Sequence, residues 1–335
     1  MIFKKIGMKY LNPHGIKGKV RDFAATAGRE LVGCAEQTPK TALPPAPPDL
    51  FDELILRRID GFDKRDKVAF RYVQDLGFKG LLATRASNYD VAQEHFDRAN
   101  RLLRKLISLE ARMLAHSILD AEFAYFCYRQ EQFHRSISFL EQSFGNDLQL
   151  EQQYGYHELQ LHRIQLLNNL MRIHRRQDCF SEALKLGNSL LTYLEMPETS
   201  ELSHLPHPWE QGWSDGLSGV PDELVTRMHA QIARDQLLAL EKALSVGLAK
   251  LALIDALQSI TLRASSSQAG LWLQFQLARL DPAFGDHRVM AYALLRRGAS
   301  PSEPLWRSVA GYARSDSSSQ HCDPPPPHSH SAIEL

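Results

Sequence analysis

Residues 158–195 read ELQLHRIQLLNNLMRIHRRQDCFSEALKLGNSLLTYLE, and this stretch decides the fold. The spacing of its apolar residues predicts two helices, with a tight turn near Arg175–Asp178. Residues 117–143 show the same pattern, with a turn near Gln130–Gln132. We therefore expect two helical hairpins in the middle of the chain.

The two segments match when Phe133 is laid on Phe180, an offset of 47 residues. A large apolar residue is followed by a small one in the first helix of the earlier segment, Phe123-Ala124. An aromatic residue stands just past each turn, and a small residue follows three positions later, Ser136 in one segment and Ala183 in the other. A small residue lets the two helices touch, and the aromatic ring fills the turn.

This pattern resembles the tetratricopeptide repeat family over about residues 117–197. The offset exceeds the usual repeat of about 34 residues, and the excess falls at 145–156 as an insertion or a lengthened helix. The resemblance implies an all-α array of helical hairpins, an α-solenoid, that binds a protein or peptide in a groove. A helical bundle without true repeats remains the alternative, because short aromatic–small patterns occur in any packed helix pair.

The rest of the chain organises around this region. Five segments are predicted: a basic, proline-rich segment at 1–48, a helical repeat domain at 49–197, a long loop at 198–221, a helical region packed on the array at 222–314, and a disordered polar tail at 315–335. Gly77 and Gly80 predict the end of a helix that begins near residue 64. A hidden break is expected near 109–118, because 88–130 is long for one helix.

Composition narrows the function classes. Lys plus Arg and Asp plus Glu number 39 each, a balance that argues against nucleic acid as the main partner. The four cysteines lie far apart, so we expect a reducing, cytoplasmic location. No stretch is apolar enough to cross a membrane. The basic segment 1–29 leaves three interpretations open: a solvated tail, a targeting segment, or an arm that binds nucleic acid.

No pattern of catalytic, metal-binding or cofactor-binding residues stands out, and no cofactor is predicted. His157 and His162 lie five residues apart, so they point to different faces of a helix and cannot share one metal ion. Glu131 and His134 have the spacing of a di-iron motif, but a second copy is missing.

Two function classes remain. The first is a scaffold or adaptor that binds a partner peptide or helix, and its candidate binding residues are Arg101, Arg104, Arg172, Arg175, Trp209 and Trp213. The second is an all-helical enzyme or ligand-sensing regulator with its site near the 198–221 loop. For the two tryptophans we favour a structural role, in which they pin that loop to the helices.

Overall fold

A computed structural model describes residues 50–195, 202, 205–213, 217, 220–258, 268–296 and 304–314. The segments predicted at 1–48 and 315–335 lie outside these residues. Every regular element in the described part of the chain is helical, which confirms the all-α prediction. No helix in this part is long and apolar enough to span a bilayer.

The described residues form twelve α-helices. In chain order they are α1 Leu50–Ile59, α2 Lys64–Arg85, α3 Tyr89–Leu103, α4 Leu109–Arg129, α5 Phe133–Tyr154, α6 Leu159–Arg176, α7 Phe180–Glu195, α8 Asp222–Ser245, α9 Lys250–Gln258, α10 Gln268–Leu280, α11 His287–Leu295 and α12 Pro304–Arg314.

Contacts divide these helices into two compact units. The described residues of one unit run from 50 to 284, and those of the other run from 285 to 314. The predicted region 222–314 is therefore divided: α8 to α10 belong with the earlier helices, and α11 and α12 pack on each other in the second unit.

Three successive pairs, α2/α3, α4/α5 and α6/α7, fold as hairpins with the same turn. The turn residue is Ser87, Glu131 or Asp178, and its φ lies between 59° and 61°. The next N–H donates to the carbonyl five residues earlier at 2.8–2.9 Å, from Asn88, Gln132 and Cys179. Gly247 repeats this turn after α8 with a φ of 74°, but α9 then packs on α7.

The first hairpin was not predicted. Its second helix begins with Tyr89, and Ala92 follows three residues later, just as Ser136 follows Phe133 and Ala183 follows Phe180. The aromatic–small signal was present in the sequence. Gly77 and Gly80 obscured it, because they predicted the end of a helix that in fact continues to Arg85.

Those glycines are sites of close approach. A Cβ at Gly80 would lie 2.8 Å from the ring of Phe96, and a Cβ at Gly77 would meet Glu122 and Leu119 of α4. The Gly80–Phe96 contact recurs at equivalent positions between Met171 and Gly187, with the small and large residues exchanged, and a Cβ added at Gly187 would lie 2.9 Å from the sulfur. The equivalent positions in the hairpin between them hold Ala124 and Leu140. Each hairpin thus opposes a small residue to a large one at the same register.

The first helices of the hairpins run parallel to one another. Bonds between α2 and α4 or their ends join residues 42 apart, at both Asp66–Ser108 and Ser87–Arg129. The bonds that link α4 and α6, or the residues next to their ends, join residues 45–46 apart. The bonds that link α6 to α8 join residues 66–67 apart. Within each pair of helices, the sequence separation of the bonded residues is nearly constant, and this requires the two helices to be parallel and in a fixed register.

The break between α3 and α4 lies at 104–108, earlier than the predicted 109–118. The fully buried Asp66 accepts the N–H groups of Ile107 and Ser108 at 2.7 and 2.8 Å. Burial alone would raise the pKa of Asp66, but these hydrogen bonds outweigh it and lower the pKa. Ser108 then caps α4 by accepting the N–H of Ala111.

A carboxyl group replaces a leucine at one repeat position. Asp120 of α4 stands where α2 and α6 carry the buried residues Leu76 and Leu167, and it is only 8% exposed. Burial raises the pKa of Asp120 to about 7. The folded chain therefore binds a proton here between about pH 4 and pH 7 that the unfolded chain releases.

Substituting Gly80→Ala is expected to lower the free energy of unfolding by about 1–3 kcal/mol, because the methyl group overlaps the Phe96 ring. The matched change Gly145→Ala, also within a helix but with open space at its Cβ, should raise the free energy by about 0.5–1 kcal/mol. Denaturant titration measures both. Equal stabilisation by the two changes would contradict the close approach.

Asp120→Asn should alter how stability depends on pH. The raised pKa makes the unfolding free energy of the native chain fall as pH rises from about 4 to about 7. The amide removes that loss, so at pH 8 the variant should be more stable by about 1–4 kcal/mol, with little difference near pH 4. Asp255→Asn, at an exposed carboxylate of α9, is the control and should leave the pH profile unchanged. An Asp120→Asn variant that is less stable at pH 8 would refute this account.

Candidate interaction surface

Helix α6 opens to solvent along one narrow stripe. Between Leu159 and Ile173 only four side chains are not buried, those of His162, Gln165, Asn169 and Arg172. Their spacing of three, four and three residues puts them on one face of the helix. Among the residues that the structure describes, the other side chains of this stretch are buried, so a ligand would reach it along this stripe.

The stripe recurs on the other first helices. Helix α8 is included because Gly247 repeats the turn at its end. When Gly247 and the turn residues of the three hairpins are aligned, positions 165, 169, 172 and 176 of α6 correspond to four positions on each of α2, α4 and α8. Each of these positions is partly or fully exposed. We call these sixteen residues the first-helix face: Gln74, Phe78, Leu81 and Arg85 on α2, Ile118, Glu122, Tyr125 and Arg129 on α4, Gln165, Asn169, Arg172 and Arg176 on α6, and Arg234, Leu238, Glu241 and Ser245 on α8.

The face differs in chemistry from one end to the other. Its α2–α4 half carries four apolar or aromatic side chains, among them Phe78, which is 52% exposed, and Tyr125. The other four residues of this half are Gln74, Arg85, Glu122 and Arg129. Its α6–α8 half is dominated by amides and guanidinium groups. A ligand that matches the whole face must therefore be apolar at one end and polar or acidic at the other.

Two of the predicted arginines lie at the groove between α6 and α8. Arg172 Nε donates to Asp235 Oδ2 at 2.8 Å, and Arg175 Nη1 lies 3.6 Å from Asp235 Oδ1. Asp235 also accepts from Asn168 at 3.1 Å and is only 6% exposed. One carboxylate thus ties both arginines to α8, while 30% and 22% of their side chains remain exposed.

The structure does not bring the other two predicted arginines to this groove. Arg101 and Arg104 are exposed at the C-terminal end of α3, beside the N-terminal ends of the first helices. Arg172 and Arg175 lie near the turn at the C-terminal end of α6. Because α2, α4 and α6 are parallel, the two basic runs lie at opposite ends of the hairpins and do not form one cationic groove.

A pocket of about 260 Å³ lies between α6 and α8. Its apolar lining comes from Leu161, Leu224 and Met228. The polar lining consists of His162, Gln165, Arg227 and Gln231. The pocket adjoins the first-helix face, because Gln165 belongs to both.

His162 is oriented from behind by buried polar groups. Its Nδ1 lies 2.7 Å from Oδ2 of Asp147, which is fully buried, and Ser117 donates its hydroxyl to Oδ1 of the same carboxylate. These residues are separated by 15 to 45 positions, so no local motif predicted their meeting. Ser117 Oγ also lies 3.5 Å from the same Nδ1 of His162 that faces Asp147. A nucleophilic triad places the hydroxyl and the carboxylate on opposite ring nitrogens, so this cluster has the geometry of an orienting network for His162.

The long loop is fixed to the second helices by its tryptophans. Trp209 is 3% exposed and packs on Phe144 of α5 with ring centroids 5.1 Å apart. Trp213 lies 5.1 Å from Tyr193 of α7 and donates its indole N–H to the carbonyl of Trp209 at 2.7 Å. Both tryptophans pack on the second helices, as the structural interpretation expects, and neither belongs to the first-helix face.

Arg163 completes this attachment from the far side of α6. It is fully buried, donates to the carbonyl of Gly212 at 2.8 Å and pairs with Glu151 of α5. Its guanidinium group lies 4.9 Å from the ring centre of Trp213. Burial lowers the pKa of Arg163, and the charge of Glu151 opposes that shift. Nothing in the sequence marked this arginine, which lies inside an ordinary helical pattern.

The histidines of interest to metal chemistry do not converge. The His157 side chain is 62% exposed and lies 3.7 Å from Glu151, whereas His162 faces Asp147. Within the ranges that the structure describes, no three His, Cys, Asp or Glu side chains group as a metal site.

Comparison of the chain with protein-family profiles, curated proteins and solved structures gives no significant match. The first-helix face and the α6–α8 pocket are therefore the features of the chain that bear on its function.

Breaking the Arg163–Glu151 pair should expose its structural role. Arg163→Met leaves a buried carboxylate without its cation and is expected to lower the free energy of unfolding by about 3–5 kcal/mol. The double change Arg163→Met/Glu151→Gln should recover much of that loss in denaturant titration, because no buried charge remains. Single and double variants of equal stability would show that the carboxylate is not the source of the loss.

Proposed function

We propose that this chain is an open array of helical hairpins that binds a partner protein across the first-helix face. One observation carries the proposal: the sixteen equivalent positions on α2, α4, α6 and α8 are all partly or fully exposed, while neighbouring helices bury most of the remaining surface of α6. A repeated, rigid and uncovered face is the feature by which repeat proteins bind extended or helical segments.

The tetratricopeptide-like interpretation is part of this proposal. Its support is the turn repeated at Ser87, Glu131 and Asp178, followed each time by an aromatic residue and, three positions later, by a small one. The alternation of small and large residues at the closest approach of each hairpin adds to that support.

The charge of the face indicates the chemistry of the partner. In the α6–α8 half, Arg172 shares the carboxylate of Asp235 with Arg175, which lies beside the face. Arg176 pairs with the exposed Glu131 at 2.9 Å, and Arg234 makes no ion pair with any described residue. An acidic segment would supply the missing negative charge. Phe78 and Tyr125 in the other half favour an apolar continuation of the same segment.

We further propose that the protein acts in the cytoplasm. Cys127 and Cys179 are free thiols, and Cys179 is exposed. An exposed free thiol persists in a reducing compartment.

A ligand-sensing regulator is the second candidate. The α6–α8 pocket favours it, because Leu224 and Met228 of its lining follow the 198–221 loop directly in sequence. Two results together would favour this candidate over the scaffold. A small molecule would raise the melting temperature of the chain, and Arg176→Glu/Arg234→Glu would leave the binding of protein partners unchanged.

Charge reversal on the face tests the scaffold. The full chain is used to capture a partner from cell extract, the partner is identified by mass spectrometry, and its Kd is then measured with purified proteins. Arg176→Glu/Arg234→Glu should weaken binding by about tenfold or more, because two exposed cations of the face, one of them paired with the exposed Glu131, become anions.

The control is Arg135→Glu/Lys185→Glu, which makes the same change in net charge on exposed residues of the second helices α5 and α7. It should bind as the native chain does. Equal binding by both double variants, or loss only in the control, would reject the first-helix face as the binding surface.

A further inference from the structure

The α6–α8 pocket combines an apolar floor with a polar rim. Leu161, Leu224 and Met228 form the floor, and each is at most 9% exposed. Methionine adapts its shape to different apolar partners more readily than a branched side chain does. The floor therefore suits a large apolar group without demanding one shape.

The size of the pocket sets a limit on its occupant. Its volume of about 260 Å³ falls below the range of roughly 300–1,000 Å³ that encloses drug-sized ligands and cofactors. A single large side chain matches this volume better than a complete small-molecule ligand does.

The rim is fixed in place before any ligand arrives. Gln231 donates to the Gln165 side-chain oxygen at 3.0 Å across the groove, and His162 is held by Asp147 at 2.7 Å. Polar groups positioned in this way do not have to be ordered on binding, which favours affinity.

The rim also carries a cation. Arg227 is exposed and makes no ion pair with any described residue, and no carboxylate lines the pocket. An apolar group that enters the pocket with a carboxylate beside it would satisfy both the floor and this guanidinium.

We infer that the pocket is the specificity site for the partner: it takes a large apolar side chain of the partner segment, and Arg227 pairs with an acidic residue next to that side chain. This inference rests on the proposed function and names the chemistry of one part of its ligand. The occupant is a side chain of another protein, and a free organic acid is a distinct outcome of the test.

Capped peptides test the inference on the full chain. The probe is Ac-Gly-Phe-Glu-Gly-NH₂, and the readout is the ¹³C-methyl NMR signal of Met228, assigned by its loss in Met228→Leu. The signal should shift on titration with a Kd on the order of millimolar. Ac-Gly-Phe-Gln-Gly-NH₂ should bind about two- to fivefold more weakly, because an exposed ion pair contributes little more than that. Ac-Gly-Ala-Glu-Gly-NH₂ should leave the signal in place.

Variants assign the preference to Arg227. Arg227→Gln should abolish the difference between the glutamate and glutamine peptides, while the matched change Arg135→Gln, at an exposed arginine of α5 outside the first-helix face, should keep it. Leu224→Trp fills the floor and should abolish binding of both peptides, with the melting temperature measured to establish that the variant folds.

Three results would overturn the inference: no shift of the Met228 signal, equal affinity for the glutamate and glutamine peptides, or binding of free 4-phenylbutyrate without binding of the peptide. Failure of the scaffold proposal appears elsewhere, as partner capture that does not respond to Arg176→Glu/Arg234→Glu. The two failures are therefore distinguishable.

Discussion

The architecture depends on how closely the two helices of each hairpin approach. A side chain of full size on both helices at that point would force the hairpin apart, and the chain avoids this by always placing a small residue there. Gly80 faces Phe96, and Gly187 faces Met171 in the reverse arrangement. Since protein interiors are packed to crystal-like density, this single restriction fixes the register of each pair.

Register within the hairpins determines what they present to solvent. The repeated left-handed turn starts each second helix at the same point. Within each neighbouring pair of first helices, the bonded residues lie a nearly constant number of positions apart. Equivalent residues consequently face the same way on α2, α4, α6 and α8. The first-helix face arises from this alignment and requires no special feature at any one position, which leaves its individual side chains free to carry specificity.

Short sequence patterns predicted most of the helices and turns, but they could not predict contacts between segments that lie far apart in sequence. The aromatic–small pattern after Phe133 and Phe180 identified two hairpins correctly, because the turn and the packing it reports lie within a few residues. The same pattern at Tyr89 was missed, since Gly77 and Gly80 were interpreted as helix breakers although they serve contacts with Phe96 and α4. Asp235, Asp147 and Arg163 showed no signal, because their partners lie 12 to 67 residues away in sequence. For the same reason the predicted arginines at 101 and 104 were grouped with those at 172 and 175, which the parallel helices place at the opposite end.

The proposed array requires the first helices to lie side by side in an open row and not to close into a bundle. Spin labels at the exposed positions 85, 176 and 245, measured pairwise by pulsed electron resonance, test it most directly. With packed helices about 8–10 Å apart, the row predicts roughly 20 Å between labels at 85 and 176 and roughly 30 Å between those at 85 and 245. A distance from 85 to 245 that is shorter than the distance from 85 to 176 would show closed helices and contradict the account.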